Sequence, residues 1–145
     1  MKYYLLLVFV FAMCRTGYGQ LAAAHAGDNA ITVTLKERGD VAWNQVGKVL
    51  VTQGFAVVAS DRALGTLVAC RPGVSQPSIL LVAHLDGNVL LYKGYTGVGA
   101  YDTLLGQGIP IVYPKGTSGT MWTAWQRLNT VAEGLGGVGQ SSNQP

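Results

Sequence analysis

The sequence predicts an α+β fold: an antiparallel sheet of four to six strands with two helices packed on one face, in the order β-α-β-β-β-β-α. Three observations carry this. An amphipathic helical pattern follows the first strand-like segment, four β-prone runs separated by turn signals come next, and a second helical stripe closes the pattern. The 145-residue chain leaves room for one domain with a real core once its leader is set aside.

Residues 1–19 read as a secretory signal peptide: Lys2 gives a positive start, Leu5 to Met13 is unbroken and apolar, and Gly17 and Gly19 are small residues before Gln20. Nine apolar residues rise about 14 Å as a helix, short of the roughly 30 Å a membrane span needs, so no transmembrane helix is expected in the mature form. The address is export: periplasmic, outer-membrane-associated or extracellular. Phe11-Ala12-Met13-Cys14 departs from a lipoprotein processing box through bulky Met13, so lipidation at Cys14 is not expected.

Residues 20–30 are small, polar and aperiodic, and are expected to form a linker. Ile31 to Leu35 alternates β-branched residues with threonine, the pattern of a half-buried strand. Asp40 offers an N-cap for a helix over Val41 to Gln53, with Ala42, Val46, Val49 and Leu50 on one stripe, Trp43 beside them and Gly54 as the stop. Gly47 inside that helix is expected to mark close backbone packing against the sheet.

Phe55 to Ser60 and Thr66 to Cys70 read as a hairpin with a longer loop, and Pro77 keeps the following loop out of any ladder. Ser78 to Leu85 and Asn88 to Lys93 flank Asp86-Gly87, which suits a two-residue type I′ turn. That turn sets Leu85 opposite Asn88 and sorts the strands into faces. Ile79, Leu81, Ala83, Leu85, Leu90 and Tyr92 belong against the helices. Leu80, Val82, His84, Val89, Leu91 and Lys93 form the outer face, which is also largely apolar and which one layer of helices cannot cover. The run 94–108 is rich in glycine and carries Tyr95 and Tyr101; Ile109 to Tyr113 suits a short extra strand. Thr117 or Ser118 can cap a last helix whose stripe is Met121, Trp125, Leu128, Val131, Ala132 and Leu135. A domain over 31–135 and a flexible tail over 136–145 follow.

The segment Ile111-Val112-Tyr113-Pro114-Lys115-Gly116-Thr117-Ser118-Gly119-Thr120-Met121, with Trp125 and Val131-Ala132-Glu133-Gly134-Leu135, resembles the end of small uncharacterised secreted domains of Gram-negative bacteria. Those domains have a fold like the repeat of the TATA-binding protein. The strand and helix order, with a Trp-bearing first helix ending in Gly54-Phe55, is also similar to the domains of the lipoprotein component of the outer-membrane β-barrel assembly machine. The resemblance spans about 31–135 and implies a fold more than a task; it carries no catalytic motif onto this chain. The Gly/Tyr segment before Ile109 departs from its pattern.

Charge narrows the function classes. The formal +3 becomes +1 once Lys2 and Arg15 leave with the signal, and no basic cluster exists, which argues against nucleic-acid binding. Charged residues are 12% of the chain, about half the usual share. Either the surface is polar and uncharged, or part of it is covered by an envelope protein or a second copy. With Cys14 in the signal, Cys70 stands alone, excludes an internal disulfide and reads as a small core residue.

No cofactor is expected. His25, His84 and one cysteine lack the spacing of a metal site. His84 with Asp86, and Cys70 or Ser118 as nucleophile, would need a geometry that nothing in the sequence fixes. Gly94, Gly97 and Gly99 do not make a dinucleotide loop, because Asp102 stands where the third glycine belongs. Two functional readings remain. The first is a non-catalytic module that binds a protein partner, or itself, through Leu80, Val82, His84, Val89 and Leu91. The alternative is a small-molecule binder or hydrolase using the loop 94–108 with His84, in which Tyr95, Tyr101 and Trp122 would meet the ligand.

Overall fold

A computed structural model describes residues 24–73, 78–96 and 108–145; residues 1–19, where a signal peptide is expected, residues 20–23, the loop residues 74–77 with Pro77, and most of the Gly/Tyr segment, Tyr101 included, lie outside the described residues. The fold is α+β, with two helices on one face of a seven-stranded antiparallel sheet. In chain order the elements are β1 (Ala30–Thr34), α1 (Gly39–Thr52), β2 (Ala56–Asp61), β3 (Thr66–Arg71), β4 (Ile79–Asp86), β5 (Val89–Thr96), β6 (Ile109–Pro110), α2 (Thr120–Leu135) and β7 (Val138–Ser142). The sheet runs β2-β3-β4-β5-β1-β7, and β6 pairs with the end of β5 beyond β1.

Four strand spacings separate β1 from β2 in that order, roughly 19 Å at 4.8 Å each. The 14 residues of α1 rise about 21 Å, so the helix has the length to carry the chain across. Its buried residues are Ala42, Val46 and Leu50, as the periodicity predicts. Arg38, not Asp40, occupies the N-cap and makes no side-chain cap. Asp40 instead lies in the first turn, where a carboxylate favours the helix dipole, 3.3 Å from Arg62. Gly54 ends the helix at φ +82°.

The expected close approach at Gly47 is absent: a Cβ there would meet nothing within 4 Å. The helices touch instead at Gly134 of α2, where a Cβ would come 2.9 Å from Val49 Cγ1, and Gln45 Nε2 donates to the Leu135 carbonyl at 2.9 Å. The N-cap of α2 is Gly119 at φ +91°, so neither Thr117 nor Ser118 caps it. Its buried stripe is Trp125, Leu128, Val131, Ala132 and Leu135, with Ala124.

The β4–β5 turn falls at Gly87-Asn88, one residue later than expected, with Asp86 opposite Val89 and Leu85 opposite Leu90. Each partner moves by two positions, so every side chain keeps its predicted face. Ile79, Leu81, Ala83, Leu90 and Tyr92 are buried beneath the helices. Gly94 permits this packing, because a Cβ would lie 2.7 Å from Leu128 Cδ1 and 2.9 Å from Ile111 Cδ1.

Two boundaries are corrected. The tail expected to be flexible forms β7 and pairs antiparallel with β1 from Ala30↔Ser142 to Thr34↔Val138. The part of the expected linker that is described, residues 24–30, is tied into the domain. Gly27 N–H donates to the Tyr113 carbonyl at 3.0 Å, and Tyr113 N–H donates to the Asp28 carbonyl at 2.7 Å. The two segments also clasp each other: Asp28 Oδ2 accepts from Ser141 Oγ at 2.6 Å, and Asn29 exchanges two 2.9 Å bonds with the backbone of Gln144. These contacts are non-local, so no local pattern announced them.

Candidate functional site: the outer face of the sheet

Pleating sends alternate residues of β3, β4 and β5 away from the helices, and register aligns them in rows. One row runs Ala59, Val68, Val82, Lys93; the next runs Ala56, Cys70, Leu80, Tyr95; a third runs Asp61, Thr66, His84, Leu91. Leu80, Val82 and Leu91 therefore lie together, flanked by Val68 and Cys70. Val82 and Val89 are each 39% exposed, while Leu80 and Leu91 are half-buried. His84 is exposed and stands between Thr66 and Leu91.

Cys70 is thus not a core residue; it is half-buried on the outer face, and burial pushes its thiol pKa up, which lowers its reactivity. Val68 and Cys70 were missing from the predicted face. The alternation Leu67-Val68-Ala69-Cys70 carried the signal, but only the pairing of β3 with β4 says which alternate set points outward.

The patch has polar borders. Lys93 Nζ reaches the C-terminal residues, 3.1 Å from the Pro145 carbonyl and 3.5 Å from that of Gln144. Thr32 and Gln140 continue the Leu91 row across β1 and β7.

The residues of the alternative reading divide. His84 and Tyr95 border one shallow depression of about 180 Å³, with Thr66, Val82, Leu91 and Lys93. Ligand pockets are typically about 300–1,000 Å³, so this one is small for an organic ligand. Trp122 lies in the helix layer on the other side of the sheet, half-buried, with its ring edge-on to Tyr113 at 5.9 Å between centroids. It shares no site with His84. Tyr101 lies outside the described residues.

Neither of the nucleophiles expected from the sequence, Cys70 and Ser118, stands beside His84. Cys70 stands opposite Leu80, four residues along β4, or roughly 13 Å away at a strand's rise. Ser118 is exposed in the loop before α2. Among the described residues no three His, Cys, Asp or Glu side chains gather where they would hold a metal ion, and no helix is long and apolar enough to cross a membrane. No protein-family model and no curated protein matches this chain.

Proposed function

We propose that this chain is a non-catalytic exported module that binds a protein partner through the outer face of its sheet, centred on Val82 and Leu91. The observation that carries the reading is the run of neighbouring apolar side chains at Leu80, Val82, Val89 and Leu91, extended by Val68 and Cys70, on the face without helices. Contiguous exposed apolar patches of roughly a few hundred Å² mark interaction sites. The low charge of the chain supports the same reading, because such a surface is poorly protected against association. Export rests on the leader pattern of residues 1–19, and envelope association on the resemblance described above.

A photo-cross-linking residue at Val82 of the full chain, expressed in intact cells, tests this. One discrete adduct is expected, lost when Leu91→Lys is added, while that substitution leaves the thermal midpoint nearly unchanged. Absence of any adduct, or an adduct indifferent to Leu91→Lys, overturns the reading. Cell fractionation tests export separately.

A further inference from the structure

A cleft of about 200 Å³ opens where β2 turns into β3 and β4 into β5, beside the start of α1. Asp40, Trp43, Arg62, Leu85 and the backbone at Gly39 and Gly87 line it. Residues 74–77 and 97–107, which lie outside the described residues, join the fold at the other end of β4, where Arg71 and Thr96 flank Ile79. The cleft is a full strand's length from those junctions, about 23 Å for the eight residues of β4 at roughly 3.3 Å each.

Local sequence builds the cleft. Asp40, Trp43 and Asn44 are three and four positions apart on α1 and so share one face of the helix. Arg62 reaches that face from the β2–β3 loop: Nη1 lies 3.3 Å from Asp40 Oδ1, and Nη2 donates to Asn44 Oδ1 at 3.2 Å. The loop is itself held, because Asp61 Oδ1 accepts from the Leu64 N–H at 3.0 Å and the Leu85 N–H donates to the Gly65 carbonyl at 2.7 Å. Gly65 sits at φ +65°, and a Cβ there would run into the Leu85 carbonyl. An ion pair as open as this one, with Asp40 76% exposed, adds little stability; what it does is hold three polar side chains in fixed positions beside a half-buried indole.

That set of groups selects a ligand chemistry. The charges of Asp40 and Arg62 already cancel, so a charged ligand would have to part them. A hydroxyl both donates and accepts, and can bond the second carboxylate oxygen and the remaining guanidinium N–H groups with the pair intact. Adjacent hydroxyls above an apolar C–H face are the surface of a sugar ring, and an indole supplies a flat apolar body for that face to lie on. We propose that this cleft binds a neutral sugar ring, the end residue of a glycan, with Trp43 against the ring and Asp40 and Arg62 on its hydroxyls. The size suits one ring with the rest of the glycan in solvent, since whole drug-sized ligands take pockets of about 300–1,000 Å³. Neither Val82 nor Leu91 lines the cleft, so this site stands or falls separately from the partner-binding reading.

Nuclear magnetic resonance titration of the isotope-labelled full chain with cellotriose and with N,N′-diacetylchitobiose, read at the Trp43 indole N–H, tests this. Saturable shifts with a Kd of about 1 mM are expected for at least one of the two sugars. Asp40→Asn and Arg62→Gln are each expected to weaken binding roughly tenfold or more, Trp43→Ala to abolish it and Val82→Lys to leave it unchanged. Should Trp43→Ala fail to fold, the substitutions at the exposed Asp40 and Arg62 decide. Absence of a shift with either sugar at about 50 mM overturns the proposal. So do shifts that survive both Asp40→Asn and Arg62→Gln, or tighter binding of acetate or glycylglycine at the same residues, which would make this a site for ions.

Discussion

The hydroxyl of Tyr92 on β5 donates a 2.8 Å hydrogen bond to the main-chain carbonyl of Leu128, tying the middle of the sheet to the middle of α2 inside the core. Tyr92→Phe keeps the ring and removes this bond, so stability falls by about 1 kcal/mol, whereas Tyr92→Ala also opens a cavity and costs about 3–5 kcal/mol. Burial drives the phenol pKa far up. The folded state therefore keeps this proton where the unfolded chain releases it, and its contribution is intact below the ordinary tyrosine pKa and lost as pH rises above it. Denaturant unfolding across alkaline pH is expected to show a decline that Tyr92→Phe reduces.

Asp28 works in the opposite pH range. The hydrogen bond from Ser141, then that from the His25 N–H, hold its carboxyl below the usual range against the effect of burial. Its contribution is present above the unfolded pKa and lost as pH falls through the folded one. Ser141→Ala is expected to lower the thermal midpoint at neutral pH and to flatten the acid limb of the pH profile. An unchanged acid limb would show that Asp28 does not secure β7.

Glycines on the two helices are expected to answer alanine with opposite signs. Gly47→Ala meets open space in a helix interior and stabilises by up to about 1 kcal/mol. Gly134→Ala pushes into Val49, and Gly94→Ala into Leu128 and Ile111; the Gly94 variant is expected to cost about 1–3 kcal/mol through overpacking. Chemical denaturation of the three variants checks the ordering.

The Thr96 hydroxyl is buried beside Ile79 with no hydrogen-bond partner among the described residues. Burying an unpaired hydroxyl costs about 1–3 kcal/mol by protein mutational measures, so Thr96→Val, close in shape, is expected to leave stability unchanged or raise it. A clear loss of stability would mean that the hydroxyl has a partner.

Where the controlling physics is local and periodic, the sequence was readable. The faces of β4 and β5 survived a one-residue error in the turn, because an even shift in pairing preserves the alternation that sorts Val82 outward and Leu81 inward. The stripe from Trp125 to Leu135 held for the same reason. What escaped depends on distant partners. Val138–Ser142 shows no strand-like alternation and is a strand because β1 offers it an edge and Asp28 and Asn29 offer it bonds. Crowding at Gly134 but not at Gly47 follows from where two helices cross. Of the candidate face, β4 and β5 were legible and β3 was not, since the orientation of Cys70 depends on its pairing with Leu80.

The sheet order also sets a sequence of events. Strands β2 to β5 are successive neighbours, whereas β1 pairs with β5, about 60 residues away in the chain, and with β7, about 110 away. Closing those large loops costs more entropy than closing the hairpins, so the meander is set to nucleate early and β1 to be admitted late. This topology is therefore expected to refold more slowly than its hairpins alone would, a difference that stopped-flow refolding of the chain would read.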